Sequence, residues 1–201
     1  MSKFVYLFNE GNSGMKEILG GKGANLAEMT RIGLPVPFGF TISTEACNAY
    51  YDADKTIPAE VQAQVLEALG ELEEKTGKKL GNPENPLLVS VRSGAVFSMP
   101  GMMDTILNLG MNDETVEGMA KLTNNPRFAY DSYRRFIQMF SDVVLDVDVF
   151  FFERLLEETR EAKGYATDPE MTAEDWKEVI QGYKNIVTKH TRKPFPQDPK
   201  E

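Results

Sequence analysis

Gly20-Gly21-Lys22-Gly23-Ala24-Asn25-Leu26-Ala27-Glu28-Met29 sets a glycine cluster around one lysine at the head of a helical pattern. Leu26, Met29 and Ile32 recur at helical spacing, and Gly33 stops the helix as a C-terminal cap would. Glycines let a backbone approach a ligand closely, and Lys22 offers a mobile point charge suited to phosphate. A helix starting there aims its N-terminus at the same place, which favours anions. The run is not a P-loop, because Lys16 stands where that motif needs glycine and Gly23 where it needs Ser or Thr. Its spacing does not fit the dinucleotide fingerprint either. Taken alone, these residues leave two readings open: a phosphate cradle, or a glycine turn with a solvated lysine.

Upstream, residues 4–8 form a short aromatic and β-branched run that reads as a first strand. Downstream, Pro35 and Pro37 enforce an extended path into a second strand over residues 38–43. Thr44 is placed to cap a short helix running to Tyr51. Residues 58–76 read as an amphipathic helix with Val61, Val65, Leu66, Leu69 and Leu72 on one face, closed by Gly77. Residues 87–91 are the most strand-like run of the chain and predict a buried strand. It delivers Arg92-Ser93-Gly94 at its end, and residues 105–109 read as a returning strand. After Gly110 the pattern is helical throughout, with helices expected over 114–122, 127–144, 149–163 and 173–190. The expected fold class is therefore α+β: an α/β part over residues 1–110, a helical part over 111–192, and a proline- and charge-rich linker over 193–201.

A strand ending in Arg92 puts a guanidinium at a sheet edge, where it can fork onto two phosphate oxygens while Ser93 adds a donor. Pairing of Arg92 with one of the many carboxylates is the plainer alternative. In Ser98-Met99-Pro100-Gly101-Met102-Met103-Asp104-Thr105, Gly101 can offer an unobstructed amide and the methionines an adaptable apolar surface. Core packing of those methionines is the alternative there. Arg134 and Arg135 fall on the polar side of an aromatic helix, where surface pairs with Asp131 or Asp142 are expected. His190, the single histidine, reads as a surface residue, and Cys47 as a small packed one.

The chain has 201 residues, 41% of them hydrophobic, enough for one ordinary domain or two small ones. A formal net charge of -9 argues against nucleic-acid binding, since phosphate backbones repel an acidic surface. One cysteine leaves no intramolecular disulfide and no cysteine-based zinc site. The apolar run at the N-terminus is too short for a secretory signal, and no stretch has the length to cross a bilayer, so a cytoplasmic address is expected.

Together the motifs carry a resemblance. The run from Gly20 to Met29, then Gly33-Leu34-Pro35-Val36-Pro37 with Gly39-Phe40-Thr41, resembles the start of the pyruvate phosphate dikinase family. So do Ser90-Val91-Arg92-Ser93-Gly94-Ala95, the run from Ser98 to Thr105, Asn108-Leu109-Gly110, and the string from Asn125 through Tyr133, Arg134, Arg135, Phe136, Ile137 and Gln138 to Val144. Several motifs in family order are far more specific than any one of them. Related phosphoenolpyruvate synthases and water dikinases look similar around Gly-Gly-Lys, but Arg92-Ser93-Gly94 and the Met-Pro-Gly-Met-Met-Asp run look like the phosphate-using dikinase. The resemblance implies the first subdomain of an ATP-grasp domain followed by an inserted helical subdomain. By family pattern Lys22 and Arg92 contact ATP phosphates, the loop of Gly101 and Met103 closes over the polyphosphate, and Asp104 fixes that loop. It further implies Mg2+ arriving with ATP, its ligands in a second ATP-grasp subdomain outside this chain, and no catalytic or metal-ligating residue within it. The implied partners are ATP and a phosphohistidine domain of the parent protein, itself a homo-oligomer, with no nucleic acid and no membrane. The family's histidine lies in a Thr-Cys-His context that His190 lacks. A non-catalytic interaction module is the rival reading.

Overall fold

The computed structural model describes residues 2–94 and 104–200. The chain divides into two compact units, Met1–Gly77 with Arg92–Asp104, and Lys78–Val91 with Thr105–Glu201.

In the first unit, β1 (Val5–Leu7) pairs antiparallel with β2 (Phe40–Ile42), with Tyr6 opposite Thr41. Between them runs α1 (Lys16–Arg31), broken at Gly20, where φ is 69° and ψ 171°. A residue with a Cβ resists that conformation, so glycine there lets the chain leave one helical turn and start another. Leu19, Ala24 and Ala27 of α1 form a small core with Tyr6, Met15 and Ile18 packed against it. α2 (Thr44–Asp52) is capped by Ser43, whose hydroxyl accepts from Ala46 N at 3.4 Å. The expected cap, Thr44, instead donates its hydroxyl to the Glu17 carbonyl at 2.7 Å. Cys47 is exposed rather than packed, because Ala46 beside it takes the inward position on this short helix. α3 (Ala59–Thr76) buries Val61, Ala68 and Leu72 and closes on left-handed Gly77. Leu66, expected on that face, is 50% exposed, and Ala68 takes the buried place. The Gln64 side chain of α3 accepts from Phe4 N and Val5 N at 2.7 and 3.2 Å, tying the helix to β1.

The second unit contains β3 (Lys79–Leu80) and β4 (Pro86–Leu87), paired in parallel, and, apart from Arg92, the ladder of β5 (Val89–Arg92) with β6 (Thr105–Leu109). Its body is helical: α4 (Asp113–Thr123), α5 (Pro126–Val143), α6 (Val149–Ala162) and α7 (Ala173–Thr191). These match the expected helices to within a residue or two, and no strand follows Gly110 among the described residues. Caps explain the agreement. Asn112 accepts from Glu114 N and Thr115 N, Asn125 caps α5 ahead of Pro126, and Thr172 and Asp175 form a capping box on α7. Tyr133, Ile137, Phe152, Trp176, Val179, Tyr183 and Val187 are almost wholly buried and define the core.

The expected boundary, strand and tail each have a counterpart in the structure. The chain passes from one compact unit to the other at three places, after Gly77, Val91 and Asp104. Leu88, Ile106 and Leu109 pack on the helical core, and a Cβ at Gly110 would stand 2.6 Å from the Leu87 carbonyl oxygen. The strand expected to be buried is only partly so: of residues 87–91, Leu87 is buried, Leu88 and Val89 are half-buried, and Ser90 and Val91 are exposed, Val91 at 45%. Among the described residues no third strand joins the β5–β6 ladder. Residues 193–200, within the expected linker, lie against the helices. Phe195 is buried with its ring 6.0 Å from Phe136 and 5.7 Å from Phe140, edge-on to both. Gln197 accepts from Asp113 N at 3.0 Å and contacts the Tyr133 hydroxyl at 3.3 Å.

Candidate functional site

The sequence-derived candidates converge in the first unit. The Gly20 break starts a fresh helical segment, and Lys22 sits in its first turn, half-buried. Lys22 Nζ donates to the Ser93 carbonyl oxygen at 3.1 Å across a separation of 71 residues. Ser93 in turn donates its N–H to the Asp104 carbonyl at 3.2 Å and its hydroxyl to the same oxygen at 3.0 Å. Arg92, exposed at the end of β5, immediately precedes Ser93. Lys22, Ser93 and Asp104 thus form one hydrogen-bonded chain with Arg92 adjoining it. Gly101 and Met103 lie outside the described residues.

The glycines around Lys22 have separate reasons to be there. Gly20 supplies the left-handed break. Gly23 is buried, and a Cβ built on it would lie 2.8 Å from Thr41 Cγ2 and 2.9 Å from Thr41 Oγ1. A methyl group at this position would therefore crowd the Thr41 side chain of β2. Thr41 is the residue that sequence reasoning missed; only its place opposite Tyr6 in the β1–β2 register reveals its part. The turn ahead of α1 is tied down as well. Glu28 accepts from Ser13 N at 3.0 Å and from Arg31 Nε and Nη2, and the Arg31 guanidinium with the Ser13 amide holds its carboxyl down at about 2.

The remaining candidates are in the second unit. Arg134, expected at the surface, is buried: its guanidinium meets Asp131 at 2.6 Å and Asp168 at 3.9 Å and lies 4.7 Å from the centroid of the Trp176 ring. The two carboxylates and the indole face explain how a charge is kept in the core. Arg135 is exposed and pairs with Asp131 at 3.2 Å, as expected of a surface arginine. His190 is exposed, its ring 4.3 Å from that of Phe151. A cavity of about 270 Å³ lies beside Phe136, Phe140, Val144 and Phe195, lined mainly by apolar groups. Among the described residues no three His, Cys, Asp or Glu side chains converge as metal ligands, and no helix is long and apolar enough to cross a membrane.

The arrangement offers anion-binding chemistry. Lys22 has three N–H donors, of which Ser93 occupies one, and the start of a helix lies at the same point. Comparison with known proteins agrees in kind. The family model for the pyruvate phosphate dikinase AMP/ATP-binding domain matches residues 16–56 and 53–144, a span that includes Lys22, Arg92 and Asp104. The pyruvate, phosphate dikinase of Clostridium symbiosum is 57% identical over 202 residues, covering 100% of this chain and 23% of that protein. Pyruvate, phosphate dikinase 2 of Zea mays is 54% identical over 192 residues, covering 96% of this chain and 22% of its own length. Pyruvate, phosphate dikinase 1, chloroplastic, of the same plant is 54% identical over 193 residues, with 96% and 20% covered. The chain thus spans under a quarter of the length of these relatives.

Proposed function

The chain belongs to the pyruvate phosphate dikinase AMP/ATP-binding domain family, and on that premise we propose that it supplies the phosphate-contacting half of an ATP site in a longer dikinase. The observation that carries this reading is the Lys22–Ser93 hydrogen bond, which joins the glycine-lysine motif to the Arg-Ser-Gly motif. In the proposal, residues 1–110 act as the first ATP-grasp subdomain, residues 111–192 as a helical insertion, and residues 193–201 lead toward a second ATP-grasp subdomain. Phosphoryl transfer needs positioning and charge neutralisation more than covalent chemistry from the protein. Lys22 and Arg92 meet that need by neutralising oxygens of the polyphosphate. Gly101 and Met103 cover it, and Asp104 holds the segment that carries them.

The reaction proposed for the whole protein converts ATP, phosphate and pyruvate to AMP, diphosphate and phosphoenolpyruvate. The β,γ-pyrophosphoryl group passes to a histidine on another domain, phosphate removes its terminal phosphoryl group, and the remaining phosphohistidine phosphorylates pyruvate. His190 is not assigned that role: it lies in Thr188-Lys189-His190-Thr191, stacked beside Phe151. Mg2+ belongs to the proposal as the partner of ATP. Its ligands are assigned to the second ATP-grasp subdomain, and among the described residues no three His, Cys, Asp or Glu side chains converge. A cytoplasmic setting and a homo-oligomeric parent remain parts of the proposal.

Calorimetric titration of Mg-ATP into the chain, beside Lys22→Ala and Arg92→Ala, tests the reading. Binding by the wild type that falls at least tenfold in each variant is expected, since hydrogen bonds to charged groups contribute about 1.5–3 kcal/mol. Wild-type affinity in both folded variants refutes the assigned roles. No steady formation of AMP and diphosphate is expected from the chain alone, and its detection would overturn the assignment of the chemistry to other domains.

A further inference from the structure

We infer that Ser93 is a positioning residue for phosphate at this site, acting through Lys22 and Asp104 and not by touching the ligand. The inference rests on the proposed ATP reading and deepens it. A Ser at the end of a strand beside Arg92 invites the assignment of its hydroxyl as a phosphate donor. The geometry assigns it otherwise. A serine hydroxyl carries one O–H, and here that hydrogen goes to the Asp104 carbonyl at 3.0 Å. What the hydroxyl has left are lone pairs, which an anion repels. Ser93 N–H is committed to the same oxygen at 3.2 Å. Two donors from one residue on one carbonyl fix the orientation of the Ser93 segment.

That orientation matters because the carbonyl of Ser93 is the acceptor for Lys22 Nζ, at 3.1 Å. A lysine side chain loses much rotamer freedom when it is held, and a site whose cation is already held does not lose that freedom again on binding. The hold leaves two of the three ammonium donors for phosphate oxygens. The succession Asp104 carbonyl, Ser93, Lys22 is thus a preorganising relay, and it places the ammonium next to the strand end that carries Arg92.

The test uses the 201-residue chain and four variants: Ser93→Ala, Ser93→Thr, Lys22→Ala and the Lys22→Ala/Ser93→Ala double. Two quantities are read: Mg-ATP affinity, and the rate of Lys22 acetylation relative to the other lysines without nucleotide, by mass spectrometry. Ser93→Ala is expected to weaken Mg-ATP about fivefold, the usual size of one hydrogen bond, and to raise relative Lys22 labelling severalfold. Ser93→Thr restores both, and adding Ser93→Ala to Lys22→Ala costs nothing further because the two act as one unit. Unchanged labelling in Ser93→Ala overturns the inference. So does a threonine variant as deficient as the alanine one, or a full fivefold loss in the Lys22→Ala background. If the wild type does not bind Mg-ATP, the half-site requires its second subdomain for affinity, and the labelling arm still decides whether Ser93 positions Lys22.

Discussion

Replacing Gly23 with alanine adds one methyl group at a tight contact in the first unit. Its Cβ would lie 2.8 Å from Thr41 Cγ2, 2.9 Å from Thr41 Oγ1 and 3.2 Å from Leu19 Cβ. Relaxed carbon–carbon contacts fall at roughly 3.5–4.0 Å, so α1 and β2 must part or Thr41 must turn. Pairing of β2 with β1 holds the Thr41 backbone, so relief must come from rotation of its side chain or from parting of α1 and β2. Overpacking of this kind costs about 1–3 kcal/mol. Against it stands the gain from replacing glycine by alanine within a helix, about 1 kcal/mol. The net expectation is a loss of about 1 kcal/mol. With Thr41→Ala in place both offending atoms are gone, and the same substitution should stabilise by up to ~1 kcal/mol. Urea unfolding of the four proteins of this cycle, read as midpoint shifts at constant slope, measures both effects. A change of sign between the two backgrounds is the expected result. An equal effect of Gly23→Ala with and without Thr41 would refute the contact as the reason for glycine.

The tail and the cap of α7 give two further outcomes. Phe195→Ala removes a buried ring from between Phe136 and Phe140 and should cost about 3 kcal/mol in urea unfolding; a loss below ~1 kcal/mol would mean that the tail does not pack there in solution. Asp175 accepts from Lys163 Nζ, Thr172 N and Thr172 Oγ1, each at 2.7 Å, and the Lys163 ammonium first, then the Thr172 amide, hold its carboxyl well below the usual range. A depressed carboxyl stabilises the fold above its unfolded value, near 3.9, and that contribution is lost as the pH falls below it. Asp175→Asn should therefore melt lower than wild type near neutrality and lose less on acidification from about pH 5 to about pH 2; parallel acid profiles would refute this.

The helices were legible because their signals are local and redundant. Residues 127–144 carry aromatic spacing over five turns, and Asn125-Pro126 announces the start. What was not legible depends on partners far away in sequence. Arg134 reads as a surface cation because nothing near it shows that Trp176 and Asp168 will fold over it. Phe195 is one aromatic among prolines and charges; a lone side chain has no period, so its burial is invisible until α5 is in place. The run 87–91 misleads in the opposite direction. β-branched residues fit any extended ladder, and whether the ladder is covered is decided by layers the run itself does not encode.

At the candidate site, the sequence offers residue types suited to phosphate but not what holds them in place. Lys22 and Arg92 stand out by chemistry alone, and the direct bond from Lys22 to Ser93 brings their two motifs together. The glycines invite a different reading from the one the geometry supports. A glycine-rich run beside a lysine reads as backbone laid open for a ligand, yet Gly20 is needed for its left-handed φ and Gly23 for the approach of α1 to β2. Both set where the first turn of the restarted helix falls, and so where the Lys22 ammonium arrives relative to the Ser93 carbonyl. The contact of Gly23 with Thr41 is therefore part of the site although neither residue carries charge. Widening it moves the lysine without altering the number of cations present, and a substitution there separates placement from charge as the source of phosphate affinity.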